Sequence, residues 1–258
     1  MTEQPRRRPR RGVETGLRTA AIWATVSELV AERQRELGRP LRVLDLGGGT
    51  GGLAVPLAQA GQEVIVVDPS PDALAALRRR AEDAGVGDTL RSTQGDADDL
   101  RTILKARVDL VCLHGTLEVV DHPKATLRRI AEVVVPGGHL SLVTSQRLAA
   151  VLARALAGQF AQARTALDSP DGRYGPADPL PRRFDQSEVE ALVTHAGFIV
   201  LRSHGIRLFS DLVPSIYLDS DSERAALIDL ETAVATHPEF AVLGQIGSAL
   251  HVVARRHN

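Results

Sequence analysis

The stretch Val43–Leu53 reads VLDLGGGTGGL, and the order of residue types in it decides the fold. An apolar run closes on an acid, Asp45, and then breaks into five glycines among the six residues 47–52. A strand that ends this way and passes into a helix, here Leu53–Gln59, builds a nucleotide-binding turn. Glycine supplies positive φ and lets the backbone approach a ligand more closely than a Cβ would allow. About twenty residues later a second apolar run, Val64–Val67, closes on Asp68, where an acid commonly grips a ribose hydroxyl pair. Gly47, Gly49 and Gly52 also satisfy the dinucleotide pattern G-x-G-x-x-G, so the glycines alone do not choose the ligand. Asp45 does: a carboxylate repels a pyrophosphate and attracts the ammonium of a methionine-like ligand.

Outward from this turn, strands and helices alternate. A helix over Thr15–Leu37 precedes strand one (Arg42–Leu46). Strand two, Val64–Val67, leads into a helix from Pro71 to about Ala84, opened by Ser70-Pro71-Asp72 with proline in the first turn. Thr89–Thr93 reads as strand three, Val108–Leu113 as strand four, Pro123–Val134 as a helix and His139–Thr144 as strand five. Beyond these come a helix at Gln186–His195, a strand at Phe198–Gly205, a helix at Asp221–Thr236 and a last strand at Ala249–Ala254. This alternation predicts an α/β fold, a parallel doubly wound sheet with helices on both faces.

Two regions stand outside the plan. Residues 1–12 hold five arginines and two prolines, the composition of a disordered basic tail that either contacts RNA phosphates or only aids solubility. The remaining 13–258 form the folded domain. Within it Arg147–Leu167 reads as one long inserted helix. It is followed by a Pro/Gly/Asp-rich loop, Asp168–Arg183, too long for a bare connector. The 147–183 insertion is either a lid over the substrate or a disordered bridge.

Composition narrows the class. The chain has 258 residues, is 43% hydrophobic and carries a net charge of −1, which argues against a wholly basic nucleic-acid binder. A single cysteine excludes an internal disulfide and a cysteine-only metal site; Cys112 reads as a small buried hydrophobe. No metal is expected, no apolar run approaches the roughly twenty residues of a membrane span, and the start lacks the apolar segment of a secretory signal. The expected compartment is the cytoplasm.

In an open parallel sheet the ligand lies outside the carboxyl ends of the strands. Gly47, Gly48 and Gly49 follow strand one and Asp68 follows strand two. After strand three comes Gly95-Asp96-Ala97-Asp98-Asp99. One of these acids either meets an adenine amine, which an acceptor-only carboxylate suits, or simply opens a solvated helix. His114 follows strand four, at the position of a cofactor's reactive arm or of a packed strand-end histidine.

The order Asp45-x-Gly47-x-Gly49-x-Gly51 resembles the first motif of class I S-adenosylmethionine (SAM) methyltransferases, which makes SAM the cofactor. The resemblance implies a Rossmann-like seven-stranded, mostly parallel sheet in the order 3-2-1-4-5-7-6 with strand 7 antiparallel. More closely, LRTAAIW at Leu17–Trp23, VDLVCLHGTLEVV at Val108–Val120, PGGHLSLV, LAGQF at Leu156–Phe160, GIRLFSD at Gly205–Asp211 and LETAVATHPEFAVLGQIGSALHVVARR at the end resemble the tRNA 5-carboxymethoxyuridine methyltransferase family (CmoM). That family transfers a methyl to the carboxylate of a modified wobble uridine, so the resemblance implies tRNA as partner. A small-molecule acid is the alternative acceptor. Carried over, Arg18 contacts the SAM carboxylate, Gly47 and Gly48 the methionine part, Asp68 the ribose, Ala97 and Asp98 the adenine, and His114 closes the site. Arg207, in GIRLFSD, is the candidate for an anionic group of the substrate, against the reading of a surface strand-end arginine.

Overall fold

The computed structural model describes residues 10–236 and 245–258, with side chains from Ile22 onward except those of 215, 235 and 236. Helix α1, Arg10–Leu37, starts five residues before the expected Thr15 and so takes in the end of the region read as tail. The rest of that tail, residues 1–9, lies outside the described residues, as does the side chain of Arg18. Then follow β1 (Arg42–Leu46), α2 (Ala54–Gln59), β2 (Glu63–Asp68), α3 (Pro71–Asp83), β3 (Leu90–Gln94), a single-turn α4 (Leu100–Ile103) that the sequence reading did not resolve, β4 (Val108–His114), α5 (Pro123–Val133) and β5 (Val134–Ser145). After these come α6 (Arg147–Leu156), α7 (Phe160–Asp168), α8 (Gln186–His195), β6 (Phe198–Ile206), α9 (Asp221–Thr236) and β7 (Ala249–Arg256).

The seven strands form one sheet in the order β3-β2-β1-β4-β5-β7-β6. β1 lies between β2 and β4, parallel to both, and β7 runs antiparallel to β5 and β6. This is the order the resemblance implies. Because side chains alternate across a strand, the sheet splits the core in two. Leu44, Leu46, Val111, Leu113, Leu140, Leu142, Leu250 and Val252 pack with α4, α5 and α8 on one face. Val43, Val64, Val66, Leu110, Cys112 and Val253 pack with α1, α2 and α3 on the other. Cys112 is fully buried there, as its apolar setting suggested.

Local chemistry sets the boundaries. Ser70 caps α3, its hydroxyl accepting from the Ala73 amide at 3.2 Å, with Pro71 in the first turn. Strand five, read as His139–Thr144, extends back to Val134, and Pro136-Gly137-Gly138 sits inside it as an irregularity between the Val108–Val134 and Leu110–His139 pairings. The expected single helix Arg147–Leu167 is two helices, α6 and α7. Gly158 breaks it at φ 72°, a conformation that ends a helix readily.

The loop between α7 and α8 is held by its own side chains. Arg147 donates to the carbonyls of Leu167, Ser169 and Pro170 and pairs with Asp185 at 3.1 Å. Arg183 pairs with the buried Asp178, whose carboxylate also accepts from the amides of Tyr174 and Leu180 at 3.0 Å each. The Arg154 guanidinium lies 3.8 Å from the centre of the Tyr174 ring. Arg183 thus fastens the loop that composition alone would leave loose.

Candidate functional site

The carboxyl ends of β1, β2, β3 and β4 meet at one edge, and the glycine turn starts there. Gly47, Gly49 and Gly51 have φ of 76°, 55° and 81°, a region that costs any other L-residue about 1–2 kcal/mol. Space constrains the turn as tightly as conformation. A Cβ on Gly47 would stand 2.1 Å from Thr116 Oγ1, and one on Gly48 would stand 2.5 Å from the Asp45 carboxylate. The turn is therefore pressed between the end of β1 and the segment that leaves β4.

Asp45 is buried, only 3% exposed. Burial, reinforced by the nearby Asp68 carboxylate, pushes its pKa up to about 7. A carboxyl held in this state gains from any cation placed beside it. Asp68, at the end of β2, is also buried. It accepts from the Gly49 amide at 2.8 Å with one oxygen and from the Ser70 amide at 2.9 Å with the other. It thus locks the glycine turn to the turn after β2, which a sequence reading aimed at a ribose did not foresee.

After β3, Ala97 is buried in the core and Asp98 is exposed. The Asp98 carboxylate pairs with Arg129 of α5 at 3.1 Å. Asp96 and Asp99 tie the turn together through the Asp98 and Asp96 amides. The acid cluster is thus a self-bonded loop with Ala97 turned inward and Asp98 outward.

At the end of β4, His114 is half-buried, and its Nε2 lies 2.9 Å from Ser141 Oγ on β5. Burial pulls its pKa down to about 4, so it is neutral at pH 7. Four residues on, the buried Glu118 accepts from Thr144 Oγ1 at 3.0 Å and from the Ser145 amide and hydroxyl at 3.1 and 2.9 Å. Glu118 pins the β4 exit to the end of β5 just before the insertion. Sequence offered one signal for it, an acid in the otherwise apolar segment Leu117–Val120.

Arg207 stands apart from that group, at the end of β6. It takes φ 59°, and its Nε reaches Asp211 at 3.6 Å, inside ion-pair range but too long for a hydrogen bond. With His204, Arg202, Thr25, Glu28 and Glu231 it lines a cavity of about 650 Å³ between α1, β6 and α9. Glu231 of α9 holds the turn that follows Arg207, accepting from the Phe209 and Ser210 amides at 2.8 Å each. Among the described residues no group of His, Cys, Asp or Glu could hold a metal ion, and no helix is long and apolar enough to cross a membrane.

Residues 43–138 match a family described as a methyltransferase domain. The chain is 30% identical over 240 residues to the tRNA 5-carboxymethoxyuridine methyltransferase of Escherichia coli, a match covering 93% of this chain and 88% of that one. The chain belongs to that family of SAM-dependent methyltransferases. A shorter match, 37% identical over 121 residues and 46% of each chain, links it to a ubiquinone biosynthesis O-methyltransferase of Azorhizobium caulinodans. Among solved structures, magnesium protoporphyrin IX methyltransferase from Synechocystis with bound S-adenosylhomocysteine shares the fold. The TM-score is 0.57 at 16% identity, with 93% of this chain and 85% of that chain covered. The fold and the cofactor expected from Asp45 and the glycines are therefore those of the family.

The residues present fit SAM. Gly47 and Gly48 keep bare backbone where a Cβ would strike Thr116 and Asp45, and the Asp45 carboxyl, raised by burial, gains from the cation that an amino-acid ammonium supplies.

Proposed function

We propose that this protein methylates the carboxylate of a carboxymethoxyuridine-type wobble uridine in tRNA, and that it works in the cytoplasm. The carrying observation is the extent of the match to the Escherichia coli enzyme. It spans 240 residues, far beyond the methyltransferase domain at 43–138, and so takes in the acceptor-side regions where methyltransferases of one fold diverge.

In this reading Asp45 faces the SAM ammonium, Gly47, Gly48 and Gly49 pass beneath its methionine part, Asp68 takes the ribose, and Ala97 and Asp98 border the adenine. Arg18 takes the SAM carboxylate and His114 closes the site. The buried Asp45 and the backbone amides of the turn give that end of the site its specificity. Asp68 has lone pairs to spare beyond its two backbone bonds, which leaves capacity for hydroxyl donors.

SAM supplies a methyl already activated by positive sulfur, so the protein's task is to align an oxygen with it. A carboxylate is deprotonated at pH 7 and needs no base. Arg207 binds it from the cavity beneath α9, its Nε lacking a hydrogen-bond partner. The α6–α7 insertion acts as the lid. Leu148, Leu156, Phe160 and Leu167 lie exposed on it, an apolar face that a bound acceptor would cover. The basic tail adds long-range attraction to RNA phosphates.

Mass spectrometry of tRNA nucleosides from cells lacking the protein tests the proposal. The methyl ester of carboxymethoxyuridine should vanish and the free acid accumulate. Unchanged nucleosides would remove the tRNA reading. The second reading, a small-molecule acceptor such as an acid, would then stand in its place; the match to a ubiquinone biosynthesis O-methyltransferase supports its small-molecule part.

A further inference from the structure

A line of polar side chains runs from His114 across the buried sheet, and beyond His114 itself neither the fold nor SAM binding uses it. Ser141 Oγ lies 2.9 Å from His114 Nε2 on β4 and 2.8 Å from His251 Nε2 on β7. Ser141 and His251 are both fully buried. The His114 and His251 rings meet edge to face with centroids 5.9 Å apart, and His204 of β6 continues the line 5.4 Å from His251. All sit on the sheet face that carries Cys112 and Val253, under α1.

A hydroxyl has one proton, so Ser141 can donate to only one of its two histidines and must accept from the other. Both rings are neutral. Burial holds His114 and His251 well below the ordinary histidine range, and for His251 the positive charge of Arg202 adds to this. Two arrangements follow. If His114 donates from Nε2 to Ser141, the serine donates to His251 Nε2, and the His251 proton must sit on Nδ1. That Nδ1 is buried and has no partner among the described residues, so a buried N–H would be left without an acceptor, which proteins avoid. If His251 donates from Nε2, its Nδ1 keeps only a bare lone pair, and His114 Nδ1, which is not among the buried unpartnered atoms, can carry the His114 proton. Ser141 then donates to His114 Nε2, and the His114 proton sits on Nδ1.

From this we infer that Ser141 and His251 hold His114 as its Nδ1–H tautomer, so that it is a fixed hydrogen-bond donor to the acceptor's anionic oxygen and not a general base. His114 cannot collect a proton at Nε2 unless Ser141 gives up its bond. A site so arranged orients an oxygen that arrives already deprotonated and serves poorly an alcohol, phenol or amine that must lose a proton in the reaction. Ser141 and His251 are positioning residues, acting through His114. The tautomer rests on the geometry alone; its use on a carboxylate rests on the function proposed above.

The test is nitrogen NMR of the full-length protein labelled at its eight histidines, with S-adenosylhomocysteine present and no acceptor. His114 and His251 are assigned by difference with His114→Gln and His251→Gln. The expected spectrum shows a protonated Nδ1 on His114 and a protonated Nε2 on His251 at pH 7. A protonated Nε2 on His114, or a charged ring, would overturn the inference. In Ser141→Ala the His114 shifts should move toward the average of the two tautomers, and kcat on a carboxylate acceptor should fall about tenfold with SAM affinity unchanged. If that variant does not fold, the wild-type spectrum still decides. A rising limb in kcat near about pH 6–7 that disappears in His114→Gln would make His114 a base and also overturn it. Intact tautomers with no turnover on carboxymethoxyuridine tRNA would sink the acceptor reading and leave the tautomer standing.

Discussion

Replacing Asp68 separates two roles that the structure places on one carboxylate. Its oxygens accept from the Gly49 and Ser70 amides at 2.8 and 2.9 Å, and the side chain is only 7% exposed. Each bond to a charged acceptor is worth about 1.5–3 kcal/mol, so alanine removes about 3–6 kcal/mol before the freed amides recover any water. They sit at the cleft, where recovery is substantial, and about 3 kcal/mol should remain. In a chain of this size that lowers Tm by about 6–12 °C. SAM binding should weaken further, since the glycine turn loosens and a ribose partner is lost. Asp68→Asn keeps one acceptor but turns an amide N–H₂ toward the other backbone N–H. It should lie between wild type and Asp68→Ala in Tm while losing nearly as much SAM affinity. Differential scanning calorimetry and titration calorimetry on the three proteins measure both quantities. A Tm for Asp68→Ala within a degree or two of wild type, with undiminished SAM affinity, would refute the reasoning.

Three further expectations follow from other residues. The Asp45 carboxyl is raised to about 7 when folded and titrates near the ordinary 3.8 of an aspartate when unfolded. The folded state therefore binds the extra proton between those values, and the ligand-free protein should lose stability as pH rises from about 4 to 7, by at most about 1.4 kcal/mol per unit. Thermal melts across that range should show it, with Asp45→Asn flattening the slope and SAM affinity rising toward pH 8; a melt that improves with pH would contradict the assignment. Arg207 holds a left-handed φ of 59°, so Arg207→Gly should relieve about 1 kcal/mol of backbone strain. It should raise or preserve Tm while cutting turnover; equal loss of both would make the arginine a structural residue. Limited proteolysis should first cut near Ala157–Gly158 between α6 and α7 rather than inside the fastened 169–185 loop, with protection when cofactor and acceptor are both bound. Cleavage that ignores ligands would reduce the insertion to a passive connector.

The strand–helix alternation and the acid–glycine–acid spacing were legible because they are local. Periodicity and turn chemistry do not depend on what packs against them, which is why Gln186–His195 and Asp221–Thr236 come out as read. The sheet order came from resemblance, since no spacing specifies which strand lies beside which. What escaped the sequence was long-range. Glu118 and Glu231 look like ordinary charges until they are seen holding amides 27 and 22 residues away. Loop 169–185 reads as loose by composition, yet Asp178 and Arg183 tie it. The partnership of His114, Ser141 and His251 spans 110 residues between the last two. A break at Gly158 within an Ala/Leu run is a choice between continued helix and a left-handed stop, and packing made it.

The most direct test of the central claim is transfer in vitro. Purified protein is incubated with isotope-labelled SAM and tRNA from cells that lack it, and the digested nucleosides are resolved by mass spectrometry. The account expects label in the methyl ester of carboxymethoxyuridine at the wobble position, in wild-type protein and not in Arg207→Lys. Label in no nucleoside, or on a ring or ribose position of one, would contradict it.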